Sequence, residues 1–159
     1  MSEKSRIVFD CNSLLQALGS PMGPAGRCVQ LALGGEIILI ISPLILAELQ
    51  EAVERPTVIR KLKLRPKRTE EYVASLQRAG WIMQGFPETF VYERDPDDAH
   101  YVNLALAADA KLIVSRDKDL LDLMDQAKPE GRDFHARFPT LRILDPVSFL
   151  RELKKDSPS

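Results

Sequence analysis

Hydrophobic residues in this chain follow two rhythms, short unbroken runs and longer stretches that return every three or four positions. Arg6 to Phe9 and Ile37 to Ile41 belong to the first rhythm. The second of these is continuous and mostly β-branched, as a parallel strand covered on both faces would be. Leu112 to Val114 and Leu141 to Leu144 repeat it, and Thr89 to Val91 reads as a further short strand. Helical spacing predicts helices over 13–18, 25–33, 43–54, 58–64, 67–79, 96–110, 120–124 and 146–154. Ser20 to Pro24 is a turn cluster, and Gly34–Gly35 ends the second helix. Ser42–Pro43 reads as an N-cap followed by proline at N1. The polar stretch Ala127 to Thr140 reads as a surface loop. Strands alternating with helices predict a single α/β domain over 1–159 with a mainly parallel sheet. Its core is expected over about 6–153, with 155–159 as a flexible tail.

Several carboxylates interrupt this pattern. The first strand ends on Asp10, with Asn12 two residues later. Ser115 to Asp117 follow the strand 112–114 directly. Ligands of open parallel sheets bind at the carboxyl ends of strands, so both positions fall on the productive edge. On the helix 43–54, Leu44, Ile45, Leu49 and Ala52 form an apolar arc, and Glu48 falls inside it. Asp97 and Asp98 open the helix 96–110, and Asp98 shares the angular sector of Tyr101, Val102 and Ala105. Asp98 is therefore favoured as the inward acid and Asp97 as a cap.

Each acid has a plain structural alternative. Asp10, Asp117 or Asp119 can cap a helix, acids suit a helix N-terminus, and Glu48 can be an edge-of-core residue with an ion-pair partner. Together they pose a harder problem. Two unit charges about 4 Å apart repel by about 4 kcal/mol at an effective dielectric near 20. A cluster of Asp10, Glu48, Asp98 and Asp117 needs protons or a cation. An all-oxygen donor set suits Mg²⁺ or Mn²⁺, as one ion or as a pair serving phosphoryl chemistry. Asn12 would then support the site without adding charge.

Composition narrows the field. The formal charge of -1 gives no global basic field to attract nucleic acid. The local run 60–68 is different, with six basic residues in nine: Arg60, Lys61, Lys63, Arg65, Lys67 and Arg68. They are candidates for RNA phosphate contacts, with a solvated helical face or a protein-binding surface as the alternative. Leu62, Leu64 and Leu76 are equally compatible with a dimer interface. Cys11 and Cys28 are too few for a disulfide framework and no secretory leader is visible, so reduced thiols in a cytoplasmic protein are expected. The run 37–41 is far too short to span a membrane. Nucleotide-loop and zinc-protease motifs do not occur, and His100 and His135 without a cysteine pair make a poor zinc site.

VFDCNSLL, SPLILAELQE and DPDDAHYVNLALAADAKLIVSRDKDLL together resemble the motifs of the PIN domain family, particularly its toxin components from bacterial toxin–antitoxin modules. The resemblance covers about Arg6 to Leu153. It implies a three-layer α/β/α fold and metal-dependent cleavage of RNA phosphodiesters. It implies metal-ligand roles for Asp10, Glu48, Asp98 and Asp117, with Asn12, Ser115, Asp119 and Asp97 as supporting positions. By resemblance the substrate is single-stranded or structured RNA, the protein a homodimer, and an antitoxin protein its inhibitor. Cys11 stands where threonine is common, and the link into the last strand is longer than usual. A PIN-like module that binds RNA or protein without cutting, and an RNA-processing nuclease without a toxin role, remain as alternatives. A phosphoacceptor domain fits poorly, because Asn12 replaces the second acid such a site wants.

Overall fold

The computed structural model describes residues 4–156. Its centre is a five-stranded sheet, parallel throughout, built from β1 (Arg6–Phe9), β2 (Ile38–Ile41), β3 (Trp81–Ile82), β4 (Leu112–Val114) and β5 (Arg142–Leu144) in the order β3-β2-β1-β4-β5. β1, β2 and β4 carry the apolar runs, and every residue after the first in each is buried. Sheet order moves outward from β1 through β2 to β3, then jumps back to β4 on the other side of β1. The topological switch point therefore lies between β1 and β4.

Helices flank the sheet. α1 (Cys11–Gly19) and α2 (Pro24–Leu33) link β1 to β2. α3 (Pro43–Val53), α4 (Pro56–Leu62) and α5 (Pro66–Ala79) link β2 to β3. α6 (Ala99–Ala107) packs on β1, β2 and β4, and α7 (Lys118–Leu121) with α8 (Pro129–Arg137) lies between β4 and β5. The closing helix α9 (Pro146–Asp156) packs on α2. Right-handed crossovers put α1–α5 on one face and α6–α8 on the other, which makes three layers. Ser42 caps α3, its side chain accepting from Ile45 N at 3.1 Å, with Pro43 at the first helical position.

Five expectations need correction. Thr89 to Val91 is not a strand; the edge strand is Trp81–Ile82, paired with β2. The Asn103 side chain serves Phe90 instead of a strand, accepting from its N–H at 2.7 Å and donating to its carbonyl at 2.9 Å. The stretch 127–140 is not a loop, because α8 occupies most of it. One buried aromatic, Phe134, ties α8 down by edge-on contacts with Phe90 and Phe138 at centroid distances of 5.4 and 5.2 Å. Gly131 lets α8 approach so closely that a Cβ there would overlap the Asp125 carbonyl. The helix 96–110 is split, a 3₁₀ turn over Pro96–Asp98 preceding α6. Leu44, placed in the apolar arc of α3, is 52% exposed. α9 reaches Asp156, into the stretch expected as a tail, and 157–159 lie outside the described residues.

Candidate active site

β1 and β4 end side by side at the switch point, and the chain beyond them builds the site. The Asp10 N–H donates to the Val114 carbonyl at 3.1 Å, extending the ladder by one residue. Ser115 N–H continues the other side, donating to the Leu144 carbonyl at 2.9 Å. Backbone pairing thus fixes Asp10 and Ser115 next to each other before their side chains are considered. The Ser115 hydroxyl donates to Asp10 Oδ2 at 2.6 Å, and its oxygen accepts from Asp117 N–H at 2.9 Å. Asp10 Oδ1 accepts from Ser13 N–H at 2.8 Å and so caps α1. Asp117 caps α7 in the same way, Oδ1 accepting from Asp119 N–H at 3.0 Å. The capping role foreseen as an alternative is real at both positions, and it aims both acids at one place. Burial pushes the Asp10 carboxyl above its ordinary range, and the bonds from Ser115 and Ser13 oppose that shift.

The 3₁₀ turn supplies the facing wall. Residues three apart eclipse in a 3₁₀ turn, so Asp95 and Asp98 stand on one side. Asp98 is partly buried while Asp97 is exposed. The Asp98 carboxyl is pushed up to about 9, first by burial and then by Asp117 and Asp95. Asp95 is raised as well, chiefly by desolvation, with Asp119 and Asp117 adding to it. Oδ2 of Asp98 is buried with no hydrogen-bond partner. One carboxylate oxygen from each of Asp95, Asp117 and Asp119 lies within 4.8 Å of the others. Among the described residues, no basic side chain forms an ion pair with Asp10, Asp95, Asp98 or Asp117. Oxygen donors in excess of positive charge, one of them orphaned, fit a hard divalent cation.

Glu48 reaches the site differently. Its Oε1 accepts from the Tyr101 hydroxyl at 3.0 Å, and the Tyr101 oxygen accepts from Cys11 N–H at 3.1 Å. One phenol thus bridges α3 to the start of α1, beside Asp10. The Cys11 thiol registers both acids: burial first, then Glu48 and Asp10, pushes it up to about 12. Of the four expected ligands, only Asp117 is in the close group with Asp95 and Asp119; Asp10, Glu48 and Asp98 stand outside it.

Asn12 is exposed and makes none of these hydrogen bonds. Asp119 is held away from full availability by Arg94, whose Nε lies 2.7 Å from its Oδ1. Arg94 also pairs with Asp122 at 2.7 Å and Glu130 at 3.4 Å, clamping the 93–98 segment to α7 and α8. Asp95, Arg94 and Tyr101 escaped the sequence reading. For Asp95 a signal existed: its spacing of three from Asp98 across a proline suits a 3₁₀ turn. For Arg94 none did, because its partners lie 25 or more positions away in sequence.

Four of the six basic residues of 60–68 are brought together. Lys63, Arg65, Lys67 and Arg68 line a groove of about 670 Å³ between the α4–α5 hairpin and the end of α1. Arg60 and Lys61 are exposed in the last turn of α4. None of the candidate site acids lines that groove, although Glu71 does. No helix among the described residues is long and apolar enough to cross a membrane.

Comparison with known proteins agrees with the fold. The family pattern described as PIN domain matches residues 6–119, from the first residue of β1 to Asp119 in α7. An uncharacterized protein of Methanocaldococcus jannaschii is 30% identical over 154 residues, which cover 96% of this chain and 94% of that protein.

Proposed function

The chain belongs to the PIN domain family, in general a family of metal-using nucleases, and on that footing we propose that it is a metal-dependent endoribonuclease hydrolysing RNA phosphodiester bonds. The observation that carries this reading is the crowding of Asp98 against Asp117 and Asp95 at the switch point, with no basic partner for any of them among the described residues. Such a cluster holds a proton at neutral pH and exchanges it for a cation. The proposed metal ligands are Asp10, Glu48, Asp98 and Asp117, taking one or two Mg²⁺ or Mn²⁺ ions, with Asp95 as a further donor.

A bound divalent ion supplies neutralisation of the phosphate charge and a more acidic water for hydrolysis. The chain's own groups do the positioning. Ser115 and Ser13 lock both Asp10 oxygens from the protein side. Tyr101 fixes Glu48 against the start of α1. Asp98 carries the proton that departs when positive charge enters. Lys63, Arg65, Lys67 and Arg68 form the surface that would follow an RNA backbone, giving affinity without sequence preference.

The same motif resemblance supports a finer reading. The chain acts as the toxin of a toxin–antitoxin module in the cytoplasm, as a homodimer inhibited by an antitoxin protein. Cleavage of a mixed single-stranded RNA by purified protein with Mg²⁺ or Mn²⁺ tests the enzymatic core, with EDTA and Asp10→Asn as controls. Cleavage abolished by both is the expected result. Folded, inhibitor-free protein that cuts nothing with any ion would favour a non-cleaving RNA- or protein-binding module.

A further inference from the structure

The site described so far is made of oxygen donors, yet one nitrogen stands beside it. His100 is the second residue of α6, and its side chain is only 14% exposed. Its ring packs on Tyr101 with centroids 4.0 Å apart. Its Nε2 lies 3.1 Å from Glu48 Oε1. The two groups stand at ion-pair distance, yet the contact lacks hydrogen-bond geometry and neither buried ring nitrogen makes a hydrogen bond. A nitrogen and a carboxylate oxygen are thus held close with their axes not aimed at each other.

Two neighbouring ligands on one octahedral ion meet in this way. With bonds of about 2.1 Å at right angles, the donor atoms stand about 3.0 Å apart, each directed at the ion and not at its neighbour. Tyr101 strengthens the case. Its hydroxyl donates to Glu48 Oε1, which orients that oxygen and leaves it a further lone pair for an ion. A buried imidazole whose nitrogens make no hydrogen bond carries a desolvation cost that a ligand would relieve.

We propose that His100 is a metal-ligating residue, which together with Glu48 makes the proposed nuclease site prefer a divalent first-row transition ion such as Mn²⁺ over Mg²⁺. The proposal rests on the metal-dependent reading above. Imidazole is a borderline donor that transition ions accept readily, whereas Mg²⁺ keeps to oxygen and dehydrates reluctantly. His100 thereby becomes the residue that decides which ion the acids share.

The test is direct detection of nitrogen on the bound ion. Tag-free protein is loaded with Mn²⁺ and examined by pulsed electron paramagnetic resonance for ¹⁴N modulation from a coordinated imidazole. His100→Gln and His135→Gln are compared, since His135, exposed on α8, is the only other histidine. Calorimetry of the same proteins gives Mn²⁺ and Mg²⁺ affinities, and circular dichroism confirms folding. The expected result is ¹⁴N modulation in wild type and in His135→Gln, lost in His100→Gln. Mn²⁺ affinity should fall by about tenfold or more in His100→Gln, with Mg²⁺ affinity nearly unchanged. Mn²⁺ bound without ¹⁴N modulation, or equal loss for both ions, would overturn the proposal and leave His100 a packing residue. Folded wild type that binds neither ion would sink the metal-dependent reading itself, a distinct outcome.

Discussion

Ser115 donates its hydroxyl proton to Asp10 Oδ2 at 2.6 Å although 105 residues separate them in sequence. Both are almost wholly inaccessible, at 0% and 3% exposure. The pair exists because β1 and β4 are neighbours in the sheet and each strand's backbone pairing runs one residue past its end. Ser115→Ala would leave a buried carboxylate oxygen without its donor. The expected cost is about 1–3 kcal/mol of stability, read from the denaturant midpoint. Cleavage should fall about 10- to 100-fold through a misplaced Asp10. Wild-type cleavage by the folded variant would take Asp10 out of the site.

Asp98 gives the protein a pH signature. Its carboxyl titrates near 3.8 when unfolded and at about 9 in the fold, so the folded state binds the proton more tightly. The resulting stability is full below the unfolded value and drains away as pH rises toward the folded one. Metal-free wild type should therefore lose thermal stability relative to Asp98→Asn between about pH 4 and pH 9. A saturating divalent ion should flatten the difference. Parallel melting profiles for the two proteins would show that Asp98 is not crowded as described.

The basic groove can be separated from the acids. Replacing Lys63, Arg65, Lys67 and Arg68 by alanine should weaken RNA binding and lower the salt dependence, by about 0.7 in log–log slope for each lost contact to a single strand. Thermal stability should change little, because all four are exposed. An unchanged salt slope, measured by fluorescence anisotropy, would assign the groove to a protein partner or to solvent.

α8 also makes a sharp claim. Phe134→Ala removes a side chain that is 1% exposed and packs on Phe90. It should cost about 3–5 kcal/mol, as large core truncations do. In the surface loop read from the sequence, the same change would stay within about 0.5 kcal/mol.

The division between legible and hidden follows the range of the forces involved. Unbroken apolar runs reveal β1, β2 and β4 because a strand covered on both faces must be apolar at every position. Ser42–Pro43 marks the start of α3 because capping is settled within four residues. Helical phase favours Asp98 over Asp97 for the same local reason, although a 3₁₀ turn holds both. α8 stays hidden because one phenylalanine and one glycine anchor it, too few to raise a periodic signal above its charged residues. β3 stays hidden because two exposed edge residues carry no pattern. At the site, the sequence alone determined which acids end strands and favoured Asp98 over Asp97 as the inward one, while Asp95 stayed hidden. Only the tertiary structure decided that Ser115 locks Asp10, that Tyr101 and His100 meet one oxygen of Glu48, and that Arg94 claims Asp119. Those contacts join residues 25 to 105 positions apart. They depend on strand order and on the return from β3 to β4, which no local preference of the chain encodes.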